Sequence, residues 1–140
     1  MREILFRGQT RKKGEKVRLD GSPIDSNWVY GGIFPNNKGG DFAIIYQQYP
    51  KIEKYTVYAD TVGQYTGLLD KNGKKIFEGD IIQSLETKET AVVQWFPEHS
   101  AFMVWCKSSN EVGFLYECTK SNIEVIGNIY DNPELLEVSK

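Results

Sequence analysis

One histidine, His99, and two cysteines, Cys106 and Cys118, are the whole stock of imidazole and thiol chemistry in this sequence. A structural zinc site takes about four Cys, His or carboxylate ligands at close spacing. Here the cysteines form no C-x-x-C pair, and His99 stands in a Pro-Glu-His-Ser turn, where an exposed side chain is expected. His99 would also be the sole base for a Ser–His–Asp or Cys–His nucleophile system. Neither the P-loop pattern nor the dinucleotide-binding glycine fingerprint occurs. The nearest approach to a carboxylate pair is Glu78 and Asp80 around Gly79, and Asp beside Gly is ordinary turn chemistry. No catalytic residue, cofactor-binding residue, metal ligand or cofactor is therefore expected, and the chain reads as a non-enzyme.

Binding chemistry is better represented. Thr61–Gly67, TVGQYTG, sets two glycines among hydrogen-bonding side chains. It reads first as an irregular connection whose polar groups satisfy the backbone, and second as a recognition loop presenting Gln64, Tyr65 and Thr66. Trp95 and Trp105 lie in apolar runs with two hydrophobic faces and join the candidate interaction residues. Lys71, Lys74 and Lys75 cluster on one hairpin. With Tyr65, Trp95, Trp105 and Tyr116 they offer the cation-plus-aromatic combination that holds single-stranded nucleic acid. Arg11, Lys12 and Lys13 form a second basic run, expected as a solvated loop.

The elements that must position these residues are short and numerous. Asp70-Lys71-Asn72-Gly73-Lys74 reads as a hairpin tip between Leu68-Leu69 and Ile76-Phe77, with a type I′ turn at Asn72-Gly73. Glu78-Gly79-Asp80 turns the chain into a strand at Ile81-Ile82. Strands are expected at 2–7, 15–19, 27–34, 41–47, near 51–58, and at 81–86, 91–96, 101–107, 112–117 and 123–130, from their β-branched and aromatic content. Pro35–Gly40 is expected as a loop and Asp20–Pro23 as a turn. Asn132-Pro133-Glu134 has the order of an N-cap, a first helical proline and a first-turn acid, so a short C-terminal helix is expected. With no long segment of 3.6-residue period, the fold class is all-β. The two-faced strands 91–96 and 101–107 suggest that one side packs inside while the other meets the N-terminal part or a second subunit.

The 140 residues can bury one core. A 40% hydrophobic and 13% aromatic content, with a mean hydropathy of −0.45, is that of a folded soluble chain. A net charge of −2 and a pI near 5.5 give no global attraction to nucleic acid or membrane. No apolar run approaches the roughly 20 residues that span a bilayer, and the charged N-terminus is no secretory leader, so a cytoplasmic location is expected. In a reducing cytosol Cys106 and Cys118 are expected as small buried hydrophobes.

The string TVGQYTGLLDKNGKKIFEGDII, the later VVQW and the terminal IEVIGNIYDNPELL resemble the YopX family of phage and prophage proteins. The opening MREILFRG and the WVYGG segment are similar to that family's start. The resemblance implies a β-rich N-terminal part over residues 1–60 and an SH3-like barrel over 61–140, carrying the central hairpin and terminal helix, in one compact unit. It also implies a phage or prophage origin and the cytoplasm of the bacterial host. It supplies no activity and no catalytic residue. The function expected is a protein-interaction or self-assembling module, with a second copy or a host or phage protein as partner and no membrane. The alternative is a nucleic-acid-binding module.

Overall fold

The structure is a computed structural model that describes residues 2–12, 26–34, 40–48 and 51–136. The chain forms two compact units, Met1–Gln64 and Tyr65–Lys140. The expected strand 15–19, the turn Asp20–Pro23, most of the loop Pro35–Gly40 and Lys13 lie outside the described residues.

The first unit is an antiparallel meander. Its strands are β1 (Phe6–Arg11), β2 (Asn27–Phe34), β3 (Phe42–Gln47) and β4 (Glu53–Tyr58), hydrogen-bonded in the order β4-β3-β2-β1. The start of β5 (Gly63–Leu69) lies beside β1, with Gln64 opposite Phe6 and Gly63 opposite Arg7. One face of the meander is core: Val29, Ala43, Ile45 and Val57 are buried, and Phe6, Ile33, Tyr55, Ala59 and Val62 pack around them. Ile45 and Val57 are fully enclosed, and each such side chain contributes about 1.5–3 kcal/mol.

The first strand lies at Phe6–Arg11, not at 2–7, and the expected basic loop at Arg11-Lys12 begins as strand. Gly8 is the cause of the misreading. It looks like a turn glycine, yet a Cβ there would stand 2.8 Å from a Val57 methyl, so Gly8 is the place where β1 lies flat against the core. Gln9 is held by its backbone N–H, which donates to the buried Thr61 hydroxyl (2.9 Å); that hydroxyl in turn donates to the Tyr58 carbonyl (2.7 Å).

In the second unit the rest of β5 pairs with β6 (Lys75–Phe77). There follow β7 (Asp80–Ser84), β8 (Thr90–Phe96), β9 (Ala101–Cys106), β10 (Glu111–Phe114), a helical turn α1 (Leu115–Cys118) and β11 (Ile123–Asn128). The last five strands make an antiparallel sheet in the order β10-β9-β8-β7-β11. Among the described residues no pairing joins β10 to β11, so the sheet is open. Its core is Ile76, Ile82, Val93, Val104, Leu115 and Ile123, with Leu68, Ala91, Phe102, Cys118 and Val125 packed against it. The expected strand 112–117 ends at Phe114, because Leu115 leaves the extended path to become fully buried at the start of α1. The cysteines are half-buried rather than buried, and both are free thiols. Cys118 packs on the core and burial raises its pKa.

The glycine-rich stretch fastens this unit. Asp70 is buried, and its Oδ1 accepts the N–H groups of Asn72 (2.8 Å) and Lys74 (2.9 Å). Its Oδ2 accepts the N–H of Val125 on the outer edge of β11 (3.0 Å), and Lys71 donates its N–H to the Ile123 carbonyl (3.0 Å). One carboxylate thus folds the hairpin tip and ties it to the last strand. The turn is not type I′. Only Gly73 has positive φ (80°), and Gly73 N–H bonds the Asp70 carbonyl, as in a type I turn closed by a glycine bulge. Asp70 takes the turn's N–H groups and removes the need for a left-handed Asn72.

The Glu78-Gly79 turn is fastened in the same way. Asp80, also buried, accepts the Phe77 N–H (2.7 Å); Gly79 donates to the Val93 carbonyl and accepts from the Ile129 N–H. Gly79 has φ +92°, and a Cβ would meet the Tyr130 ring at 3.0 Å. Gly79→Ala is expected to lower stability by about 1–2 kcal/mol through backbone strain, read as a fall in the urea midpoint at unchanged slope; an unchanged midpoint would show that the turn relaxes freely.

The C-terminal element is a 3-10 turn, Pro133–Leu136, not an α-helix capped by Asn132. The Asn132 carboxamide is turned back instead. Its Oδ1 accepts the Asn128 N–H at 3.3 Å and stands where a Gly127 Cβ would be. Asn128 Oδ1 then takes the N–H groups of Tyr130 and Asp131.

Candidate interaction surface

Alternation along β2, β3 and β4 divides the first unit's sheet into two faces. Val29, Ile33, Ala43, Ile45, Tyr55 and Val57 take the core face. The other face carries Tyr30, Gly32 and Phe34 on β2, Phe42, Ile44 and Tyr46 on β3, and Lys54, Thr56 and Tyr58 on β4. The register aligns them in rungs: Phe34 opposite Ile44, which is opposite Thr56; Gly32 opposite Tyr46, which is opposite Lys54; and Phe42 opposite Tyr58.

This outer face is largely apolar and exposed. Tyr30, Phe34, Phe42 and Ile44 remain 43%, 45%, 49% and 40% exposed. Rings pair across the strands, Phe34 with Tyr46 at 4.8 Å between centroids and Phe42 with Tyr58 at 5.3 Å. Two ammonium groups lie over these rings: Lys54 Nζ is 5.5 Å from the Phe34 centroid and Lys12 Nζ is 4.7 Å from that of Tyr58. Such contacts are worth about 0.5–1 kcal/mol at exposed sites. Lys12 also pairs with Asp60 at 3.0 Å. Beside Phe42 and Tyr58 the face runs into an open groove of about 350 Å³, lined also by Lys12, Asp41 and Asp60.

The residues singled out from the sequence lie elsewhere and are dispersed. Gln64 pairs opposite Phe6. Tyr65 is half-buried, its ring 5.7 Å from Phe77, with the Lys75 ammonium 5.5 Å above it. Thr66 works inward: its hydroxyl donates to the Ile76 carbonyl (2.8 Å) and accepts the Leu68 N–H. Lys71 and Lys74 are exposed at the hairpin tip, whereas Lys75 is half-buried at its base. Trp95 is exposed and meets Phe102 edge to face at 5.0 Å. Trp105 is half-buried and donates its indole N–H to Asn110 (3.0 Å). Alternation places Trp95 with the core face of its sheet and Trp105 on the opposite face, so no single surface gathers both.

Among the described residues no group of three or more His, Cys, Asp or Glu side chains is gathered. His99 is an exposed turn residue against the Phe114 ring. Asp80 is engaged in its turn beside Glu78. Burial opposes ionisation of the Cys106 thiol, but hydrogen bonds from Ser108 and Ser109 outweigh it and lower the pKa. At the β4 edge the Tyr55 hydroxyl donates to Glu53; this bond, with Lys51, holds the Glu53 carboxyl below its ordinary range. Among the described residues no helix is long and apolar enough to cross a membrane.

Phe34, Phe42 and Ile44 were not distinguishable by composition. DFAIIYQ is apolar at nearly every position, like a strand buried on both sides. The period-2 set Phe42, Ile44 and Tyr46 against Ala43 and Ile45 was the available signal, and the sequence does not say which set has a covering layer.

Fold and surface define a mainly β protein of two small units with an exposed aromatic sheet face. A family model, described as YopX protein, matches residues 25–137, and the chain belongs to the YopX family. The family match includes the WVYGG segment and excludes MREILFRG. Among solved structures the chain is similar to protein EF1440 from Enterococcus faecalis, with a TM-score of 0.53 and 21% identity over 98% of this chain and 100% of that one. At that identity the likeness speaks for the fold alone. None of the curated proteins matches the chain.

Proposed function

We propose that this YopX-family chain is a non-enzymatic binding module whose working surface is the outer face of β2–β4. The observation that carries this reading is the contiguous exposure of Tyr30, Phe34, Phe42 and Ile44 on one regular sheet face. A monomer has no stability reason to place four large apolar side chains together in water, and such patches mark interaction sites. The rigid meander beneath fixes their spacing before any partner arrives, which lowers the ordering cost of association.

On this reading the second unit is an SH3-like roll. A four-strand meander β7–β10 is followed by a helical turn and a last strand that returns to β7, which is the strand order of such rolls. The module works in the cytoplasm of a bacterium that carries the phage or prophage, and it acts through association with a second copy or another macromolecule.

The test is size-exclusion chromatography with light scattering on protein gently recovered from a bacterial lysate. The 16.0 kDa chain is expected to elute as a larger species, alone or with a co-eluting partner. A variant carrying Phe34→Ser, Phe42→Ser and Ile44→Ser is expected as a bare monomer that still folds cooperatively, its thermal midpoint lowered by no more than about 10 °C, since exposed substitutions cost about 0.5 kcal/mol each. Identical elution of both proteins would overturn the reading.

A further inference from the structure

We propose that the occupant of the β2–β4 face is single-stranded nucleic acid, an inference that rests on the reading of that face as the binding surface. The chemistry of the face fits bases and phosphates together. Protein interfaces that bury aromatic anchors are commonly depleted of lysine, yet here Lys54 and Lys12 lie directly over the exposed ring system. Single-strand binders use that combination, with ring faces stacking on bases and flexible cations reaching the backbone.

Charge is distributed to match. Residues 1–64 carry ten Lys and Arg against seven Asp and Glu, a net of +3, whereas residues 65–140 carry seven against twelve, a net of −5. The acidic pI of the whole chain therefore hides a basic first unit, and the aromatic face belongs to that unit. Of the two acids that line the groove, Asp41 and Asp60, Asp60 is paired with Lys12 at 3.0 Å.

Dimensions fit as well. Phe42 to Tyr46 spans four residues, about 13 Å of strand, which is room for the two or three stacked bases that an aromatic sheet face typically accepts. The groove of about 350 Å³ beside Phe42 and Tyr58 continues the path at one end and is large enough to receive one unstacked base. A duplex could not use the face, because its bases are stacked on each other and turned away from the rings.

The experiment is a fluorescence anisotropy titration of a fluorescein-labelled 15-nucleotide oligo-dT with the full chain at about 50 mM salt, where phosphate contacts are strong. Saturable binding is expected, with a duplex of the same length binding at least tenfold more weakly. Phe34→Ala with Phe42→Ala is expected to weaken binding by at least tenfold, at about one order of magnitude per lost stacking contact. Lys54→Ala is expected to reduce the slope of log K against log salt by about 0.7. Absence of saturation, equal affinity for duplex, or unaltered binding by the double variant overturns the proposal. The last result would come from a folded protein, since both rings are exposed. Should oligo-dT fail while light scattering shows self-association that Phe34→Ser, Phe42→Ser and Ile44→Ser abolish, the face remains the binding surface and nucleic acid is excluded as its occupant. Loss of neither by any of these variants removes both readings.

Discussion

Asp70→Ala is expected to lower the stability of the second unit by about 3 kcal/mol, because three backbone N–H groups lose a charged acceptor at once. Two of them, from Asn72 and Lys74, close the hairpin tip, and the third, from Val125, lies on the outer edge of β11. The side chain is buried, so water replaces it poorly. Asp70→Asn separates the two jobs. Its carbonyl oxygen can still close the turn, but an amide NH2 then faces the Val125 N–H, and a loss of about 2 kcal/mol is expected. Urea unfolding followed by near-UV circular dichroism measures both; a loss below about 1 kcal/mol for alanine would show that these N–H groups find other acceptors.

The same carboxylate gives a pH dependence of defined sign. Burial works against its ionisation, but the N–H groups of Val125, Lys74 and Asn72 and the charge of Lys74 outweigh burial, and the net effect lowers the pKa. The folded state therefore favours the anion more than the unfolded chain does. That contribution is present in full above the ordinary carboxyl value near 4. It is lost as pH falls below 4 and through the folded value. The thermal midpoint of the wild type is expected to drop more steeply than that of Asp70→Asn between about pH 5 and pH 2; parallel curves would deny Asp70 this role.

Gly31→Ala is the second large expected effect, about 3 kcal/mol or more in the first unit, at the upper end of overpacking costs. A Cβ at Gly31 would stand 2.0 Å from the Tyr46 carbonyl oxygen, and that atom is backbone within a paired strand. Relief requires β2 and β3 to move apart, which breaks their ladder. Gly32→Ala is the control. Its Cβ would meet the far end of the Tyr46 ring at 2.4 Å, and a half-buried side chain can swing away, so a cost of about 1 kcal/mol is expected. Thermal denaturation of the two variants orders them; equal losses would mean that the backbone contact at Gly31 is as soft as the ring contact at Gly32.

These positions also explain what the sequence disclosed. The mainly β class was readable from the density of short β-branched and aromatic runs, and the strands around Ile45, Val93, Val104 and Ile123 fell where those runs fell. The family was readable from residues that turn out to be fasteners: Asp70, Gly73, Gly79, Asp80, Gly127, Asn128 and Asn132 each close a turn or admit a neighbouring group. Such residues identify a fold because few side chains satisfy their geometry, and for the same reason they say little about a partner. The errors share a cause. Local propensity reads Gly8 as a turn, Leu115 as strand and Asn132 as a helix cap, because it cannot see the core methyl, the buried pocket or the space at Gly127 that claims each of them. The aromatic face stayed hidden because a strand apolar on both sides reads the same whether or not one side is covered.

The most direct measurement is an NMR titration of the isotope-labelled full chain, first by dilution and then with unlabelled 15-nucleotide oligo-dT. Shift changes confined to Tyr30, Phe34, Phe42, Ile44, Tyr58 and their immediate neighbours are the result expected if the outer face of β2–β4 is the working surface. Changes centred instead on the Lys71–Lys75 hairpin or on Trp95, or none in either series, would contradict it.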